Sequence, residues 1–339
     1  MIAPETQART GGTADGVLVV EDLCVEFRMM NRWVPVLDNV SLTVRPGHTV
    51  GLAGESGSGK SVTASTVLGL HRSAGGRATG GHVWFDGRDL LTLDDVELRG
   101  VRGARIGLIL QQPQRSLDPA FTVGDQIAET IRAHFQVSRR EAWGRAVTML
   151  DEVGIPSAAR RAHEYPHTFS GGMCQRVMIA IALAADPQIL VADEPTTALD
   201  VTIQAQVLGL LKEQQAERGL GILFITHDLG VIAEMCDTMA VMYAGQVVEQ
   251  GPAASVLRRP RHPYTHGLLA AMPRPAIRRL TPIAGRVPAP HEMPAACRFE
   301  PRCAFSTSAC KATVPDLVIG SNESGVRCLR RDELTVVAR

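Results

Sequence analysis

The run Gly54-Glu55-Ser56-Gly57-Ser58-Gly59-Lys60-Ser61 puts a lysine and a hydroxyl directly after a glycine-rich turn. Glycine, four residues, glycine, lysine and serine is the pattern of a phosphate-binding loop. Its glycines let the backbone curl so that successive N–H groups face one anion. A helix starting there adds the positive end of its dipole. Lys60 brings a full charge for the β- and γ-phosphates, and Ser61 brings a hydroxyl for Mg²⁺. By itself the loop implies a nucleotide and no more.

A second group suits phosphate hydrolysis. Asp193-Glu194 closes the apolar run Ile189-Leu190-Val191-Ala192, so two carboxylates stand at a strand end. Asp193 can hold Mg²⁺ through water while Glu194 polarises an attacking water. His227 follows Leu223-Phe224-Ile225-Thr226 in the same way. Open parallel sheets place ligands at such carboxyl ends. In Ser170-Gly171-Gly172, Ser170 can cap a helix while the glycines expose N–H groups to an anion. One nucleotide does not need two phosphate-binding helix starts, so a second copy is expected to supply one of them.

These residues need strands and helices to position them. Residues 49–53 read as a short buried strand and 61–70 as a helix, the context the loop requires. Residues 17–27, 36–44 and 82–87 predict an antiparallel β region, and 106–110 a buried strand ending at Gln111. The period then becomes helical over 123–135 and 139–153, where Ser138 and Glu141 are spaced as a capping box. A helical subdomain is expected over about 112–176. Further buried strands are expected at 189–194 and 221–226, a helix between them at 201–217, and a hairpin at 238–250. From Pro252 onward Pro, Arg and His become frequent, which sets a boundary near Ser255. The organisation expected is a disordered tail (1–16), a nucleotide-binding domain (17–255) and a small extension (256–339).

The chain has 339 residues, 45% of them hydrophobic, with 35 basic and 35 acidic side chains balancing to zero. That length suggests about two domains. The neutral balance and 4% aromatic content argue against nucleic acid as partner. No apolar run approaches the ~18–20 residues of a membrane span. The first 16 residues lack the apolar core of a secretory signal, so a cytoplasmic protein, held at a membrane only through partners, is expected. Of seven cysteines, Cys297, Cys303, Cys310 and Cys328 crowd the C-terminal region. Four thiolates suit zinc or iron–sulfur, and their spacings match neither zinc ribbons nor common ferredoxins. An unligated role stays open on the residues alone.

In their order and spacing the motifs resemble those of ATP-binding subunits of ABC transporters. Gly54–Ser61 is similar to the Walker A loop, Gln111 to the Q-loop and Phe169-Ser170-Gly171-Gly172-Met173 to the signature motif. Residues 189–194 resemble Walker B, Ala198-Leu199-Asp200 the D-loop and His227 the switch histidine. The resemblance implies a P-loop α/β fold with a mostly parallel core sheet, an antiparallel β subdomain and an inserted helical subdomain. It implies ATP held by Gly54, Glu55, Ser56, Gly57, Ser58, Gly59, Lys60, Ser61 and Val62, with Phe27 against adenine and Trp33 nearby. Mg²⁺ would be met by Ser61, Gln111 and Asp193, Glu194 would be the general base, and His227 would brace the γ-phosphate.

Ser170, Gly171, Gly172 and Met173 would complete the site of a second ATPase subunit, identical or paralogous. Two transmembrane permease subunits would dock near Arg115-Ser116-Leu117-Asp118-Pro119, at the inner face of the cell membrane, with an extracytoplasmic receptor engaged indirectly. Met173 and Cys174 depart from the commoner signature, and Met173 is similar to the peptide-importer branch. His262-Pro263-Tyr264-Thr265 and the four C-terminal cysteines resemble the oligopeptide, dipeptide and nickel importers, some of which bind a 4Fe-4S cluster at such cysteines. The expected function is therefore ATP hydrolysis powering import of oligopeptides or dipeptides. The alternatives are nickel as cargo, a soluble ABC-type ATPase acting on nucleic acid, a P-loop kinase, and zinc in place of iron–sulfur.

Overall fold

The computed structural model describes residues 16–197, 199–272, 282–320 and 324–334. The tail expected at 1–16, Gly16 excepted, and Ala198 of the D-loop lie outside the described residues.

Twelve strands are described: β1 (Leu18–Met29), β2 (Arg32–Val44), β3 (Thr49–Ala53), β4 (Gly76–Phe85), β5 (Arg88–Asp89) and β6 (Ile106–Ile109). They continue as β7 (Ile189–Asp193), β8 (Gly221–Ile225), β9 (Thr238–Tyr243), β10 (Gln246–Pro252), β11 (Val318–Ile319) and β12 (Gly325–Val326). The main sheet runs β11-β12-β10-β9-β3-β8-β7-β6. Strands β9, β3, β8, β7 and β6 are parallel, and β10, β12 and β11 extend them antiparallel. A second, antiparallel sheet runs β2-β1-β4-β5.

Burial explains why the parallel strands are short apolar runs without alternation. All five residues of β3 and of β8 are buried, because each strand is covered on both faces. Successive side chains still divide between the two sides. Ile189, Val191, Leu223 and Ile225 share a core with Ala64 and Val67 and with the inner face of the antiparallel sheet. Leu190, Ala192, Ile222 and Phe224 share another with Ile127, Leu150 and Val177. The phosphate-loop helix (Lys60–Val67) and the helix after Ser170 (Gly171–Leu183) thus pack on opposite faces. A third core joins Ala53, Val241 and Tyr243 to Tyr264, Leu269 and Phe299 of the C-terminal region.

Two antiparallel strands run longer than their sequence suggests. β4 starts at Gly76 rather than near residue 82, through glycines that read as loop. The reason is a bulge in β1. Gly81 faces it at φ +78°, and a Cβ there would stand 2.4 Å from the carbonyls of Glu21 and Asp22. Between residues 110 and 188 no strand is described, and the helices Val123–His134 and Arg139–Glu152 occupy the expected positions. Only half of the capping box forms. Ser138 accepts from the Glu141 N–H at 3.2 Å, while the Glu141 carboxylate accepts from Arg145 at 2.7 Å. After the expected boundary near Ser255 the chain returns to the main sheet, pairing Glu249 with Val326. A two-residue strand has no period to read.

Candidate active site

The phosphate loop leaves β3, which lies between β9 and β8 in the parallel part of the sheet. Gly54 and Gly59 take φ +150° and +106° in close quarters: a Cβ would stand 2.3 Å from the Met242 carbonyl at Gly54 and 2.8 Å from Leu37 at Gly59. Lys60, buried at 6% exposure, donates to the carbonyls of Gly54 (2.8 Å) and Glu55 (2.9 Å). Burial lowers its ammonium pKa, against the charges of Glu194, Asp193 and Glu55.

The carboxylates of the β7 end stand beside the loop. Ser61 Oγ donates to Asp193 Oδ1 at 3.2 Å, which joins the two sequence groups directly. Burial raises the Asp193 pKa; the neighbouring Glu194 adds to this, and Ser61 and Lys60 oppose it. A carboxylate left short of compensation beside a hydroxyl is the donor set a hard cation takes, so these residues fit Mg²⁺.

Glu194 is the hub. It sits at φ +49°, a left-handed conformation that costs energy in a non-glycine residue and aims its side chain out of the strand direction. Its Oε2 accepts from Gln111 Nε2 (2.8 Å) and Thr197 Oγ1 (2.8 Å), and its Oε1 lies 3.2 Å from His227 Nδ1. Burial pushes the Glu194 pKa up, yet the bonds from Thr197, His227 and Gln111 outweigh it and leave it below its ordinary value. Glu194 is therefore ionised at neutral pH, and three strand ends (β6, β7 and β8) converge on it. The Gln111 amide nitrogen is the group on Glu194, which turns its amide oxygen away from that carboxylate.

The signature residues stand elsewhere. Ser170 Oγ caps its helix by accepting from the Met173 N–H at 3.3 Å, and Gly172 packs so that a Cβ would meet Ile203 at 2.5 Å. Asp200 caps the helix that carries Ile203. Among the described residues no hydrogen bond joins 170–173 to 54–62. Phe27 packs against the antiparallel core and fills the space over Gly76; Trp33 is stacked by the Arg77 guanidinium at 4.0 Å.

Thr197 was missed by sequence reasoning, although it closes a turn that starts at Glu194 and has Pro195 in second place, and such turns return a hydroxyl to their first residue. Tyr264 and Arg302 were missed as site residues too. The Tyr264 hydroxyl oxygen accepts the Glu55 N–H at 2.9 Å, and Arg302 donates to the Glu55 carboxylate at 2.6 and 3.1 Å. No local signal reaches across more than 200 residues.

Cys297, Cys303, Cys310 and Cys328 line one cavity of about 20 Å³ with Phe299, Phe305 and Leu334. Burial raises the thiol pKa values of Cys297, Cys303 and Cys328, Cys303 to about 11. Among the described residues no group of three or more His, Cys, Asp or Glu is arranged to hold a metal ion. The four sulfurs thus have the softness and the common cavity for a thiolate-bound metal group, without a preformed ion site.

A glycine-rich loop with a buried lysine, set beside two carboxylates at the end of a parallel strand of the same sheet, is the architecture of a P-loop ATPase of the ATP-binding cassette class. Comparison with known proteins agrees. The ABC transporter family signature matches residues 37–197, and that of the oligopeptide/dipeptide transporter C-terminal region matches 248–310. A Brucella abortus (strain 2308) protein named for peptide import ATP binding is 47% identical over 331 residues, covering 94% of this chain and 98% of its own. A Brucella suis biovar 1 protein named likewise is 49% identical, covering 88% and 90%. Among solved structures, a dimeric ATP-binding cassette, MJ0796, bound to ADP and Pi, superposes with TM-score 0.63 at 30% identity, covering 70% of this chain and 98% of that one. The cbiO1 protein of Clostridium perfringens, part of an ABC transporter complex, gives 0.61 at 26% identity, covering 72% and 91%. The chain belongs to the ABC transporter ATP-binding family, with an oligopeptide/dipeptide-type C-terminal region.

Proposed function

We infer that this chain is the ATP-hydrolysing subunit of an ABC importer whose cargo is oligopeptides or dipeptides. The observation that carries the hydrolysis is the Glu194 carboxylate, ionised and held by Gln111, Thr197 and His227 next to Lys60 and the Ser61–Asp193 pair. ATP would lie along residues 54–62, its phosphates taking the loop N–H groups and the Lys60 ammonium. Mg²⁺ when bound would be held by Ser61, Gln111 and Asp193 and would neutralise phosphate charge. Glu194 would take the proton of the attacking water, and His227 would keep Glu194 oriented and reach the γ-phosphate. Phe27 is the ring we assign to adenine.

The partner reading follows from the two faces of the sheet. β6, beside the signature helix, lies three positions from β3, about 14 Å across the sheet. Ser170, Gly171, Gly172 and Met173 then serve the ATP of a second cassette, and Asp200 stands at the seam. The cargo reading rests on the C-terminal region and on relatives named for peptide import. Two permease subunits would dock at residues 115–119 on the cytoplasmic side; no described helix of this chain is itself long and apolar enough to cross a membrane. Residues 17–255 and 256–339 form the two units of this subunit.

The test is to assemble the chain with its permeases in vesicles. ATP hydrolysis should rise when a peptide-loaded extracytoplasmic receptor is added. Stimulation by nickel-loaded receptor alone would overturn the cargo.

The four cysteines we assign to a 4Fe-4S cluster, on the support of their shared cavity and thiolate chemistry. Protein prepared without oxygen should be brown, with broad visible absorption. Colourless protein holding one zinc per chain would contradict it.

A further inference from the structure

Glu55, second residue of the phosphate loop, is held from far away in sequence at both its backbone and its side chain. Its N–H donates to the Tyr264 hydroxyl, and its carboxylate takes both outer nitrogens of Arg302. The Arg302 side chain is 6% exposed and that of Glu55 30%, so the pair is shielded on its arginine side. The ring system behind it is rigid. Tyr243, Tyr264 and Phe299 pack with centroids 4.7–5.4 Å apart, and the Arg302 guanidinium lies over the Tyr243 ring at 5.6 Å. Tyr264 in turn is fixed by His262, whose Nδ1 accepts the Tyr264 N–H at 3.1 Å.

A second arm reaches the other shoulder of the loop. Arg298 donates to the Ala244 carbonyl at 2.6 Å and to Asp38 at 2.6 Å. The next residue, Gly245, donates its N–H to the Ser58 carbonyl at 2.8 Å. Both arginines belong to the short stretch between Cys297 and Cys303.

Charge and geometry give these contacts a task. The Lys60 ammonium donates to the Gly54 and Glu55 carbonyls, so Glu55 is tied to the charge of the loop as well as to the C-terminal region. The Glu55 carboxylate is also close enough to act on Lys60. Left unpaired, it would repel an incoming polyanion.

We propose that Tyr264 and Arg302 are positioning residues for ATP binding: the C-terminal region clamps Glu55 and cancels its charge, so that the phosphate loop stays open and neutral for ATP. The proposal rests on the reading of residues 54–61 as the ATP site.

The experiment uses the full chain and measures Mg·ATP affinity by calorimetry, with hydrogen exchange over residues 54–60. Wild type must bind ATP; failure there would sink the site assignment itself rather than the clamp. Arg302→Gln should weaken ATP binding about tenfold, as an unpaired charge near the phosphates implies. Adding Glu55→Gln to Arg302→Gln should recover affinity to within about threefold of wild type. Tyr264→Phe keeps the ring, and it should weaken binding about threefold while speeding exchange of the Glu55 amide. Unchanged affinity in both single variants would overturn the proposal. So would a double variant as weak as Arg302→Gln, because the arginine would then act through packing alone.

Discussion

Two adjacent carboxylates on one strand end are driven in opposite directions. Asp193 is raised by burial, and Glu194 is lowered because three donors outweigh its burial. As a raised carboxyl, Asp193 withdraws stability once it ionises; the loss is absent below about pH 3.8, its unfolded value, and complete above its folded pKa. Asp193→Asn should therefore raise the melting temperature of the nucleotide-free chain at pH 7 by roughly 1–3 °C. The gain should vanish toward pH 3, and Mg·ATP binding should fall. Calorimetric melting at the two pH values checks this. Glu194 has the opposite sign: its bonds stabilise the fold above its unfolded pKa, and that contribution disappears as acid protonates it. The residues of this site were legible because each chemistry-bearing group follows an apolar run that could only be a buried strand. Thr197 was not, since a threonine in a turn has many ordinary reasons to be there. The separation of the two carboxylate pKa values was hidden too, because it depends on distances between strand ends.

At the scale of elements, the parallel strands and long helices announced themselves by period, and bulged or very short strands did not. β4 reads short because Gly76, Gly80 and Gly81 look like loop, while the bulge at Asp22 needs Gly81 and the Phe27 ring needs the space at Gly76. β11 and β12 are two residues each. The division of the sheet into two faces yields a separable prediction. Leu150 is fully buried in the helical subdomain, on the face away from the phosphate-loop helix. Leu150→Ala should cost about 2–5 kcal/mol of stability by leaving a cavity. ATP affinity, measured well below the melting temperature, should stay within about twofold. A Leu150→Ala chain of ordinary stability that binds ATP poorly would show that the two faces are not independent.

For the whole molecule, the C-terminal region shares one core with the ATPase sheet rather than hanging from it. Tyr264 and Phe299 pack on Tyr243, β12 pairs with β10, and Arg298 and Arg302 reach the phosphate loop. A chain ending at residue 255 should bare Val241 and Tyr243 and aggregate, which light scattering would report. A stable monomer that binds ATP normally would contradict both the shared core and the clamp. The shift toward Pro, Arg and His is visible from Pro252 onward, yet composition alone says nothing of what this region grips.

Glu194 is the base proposed to activate water, and the direct measurement is steady-state hydrolysis by Glu194→Gln beside its ATP affinity. The amide keeps the shape and loses the basicity, so turnover should drop by about a hundredfold or more with ATP still bound. Hydrolysis at the wild-type rate would contradict the role given to Glu194 and the site built around it.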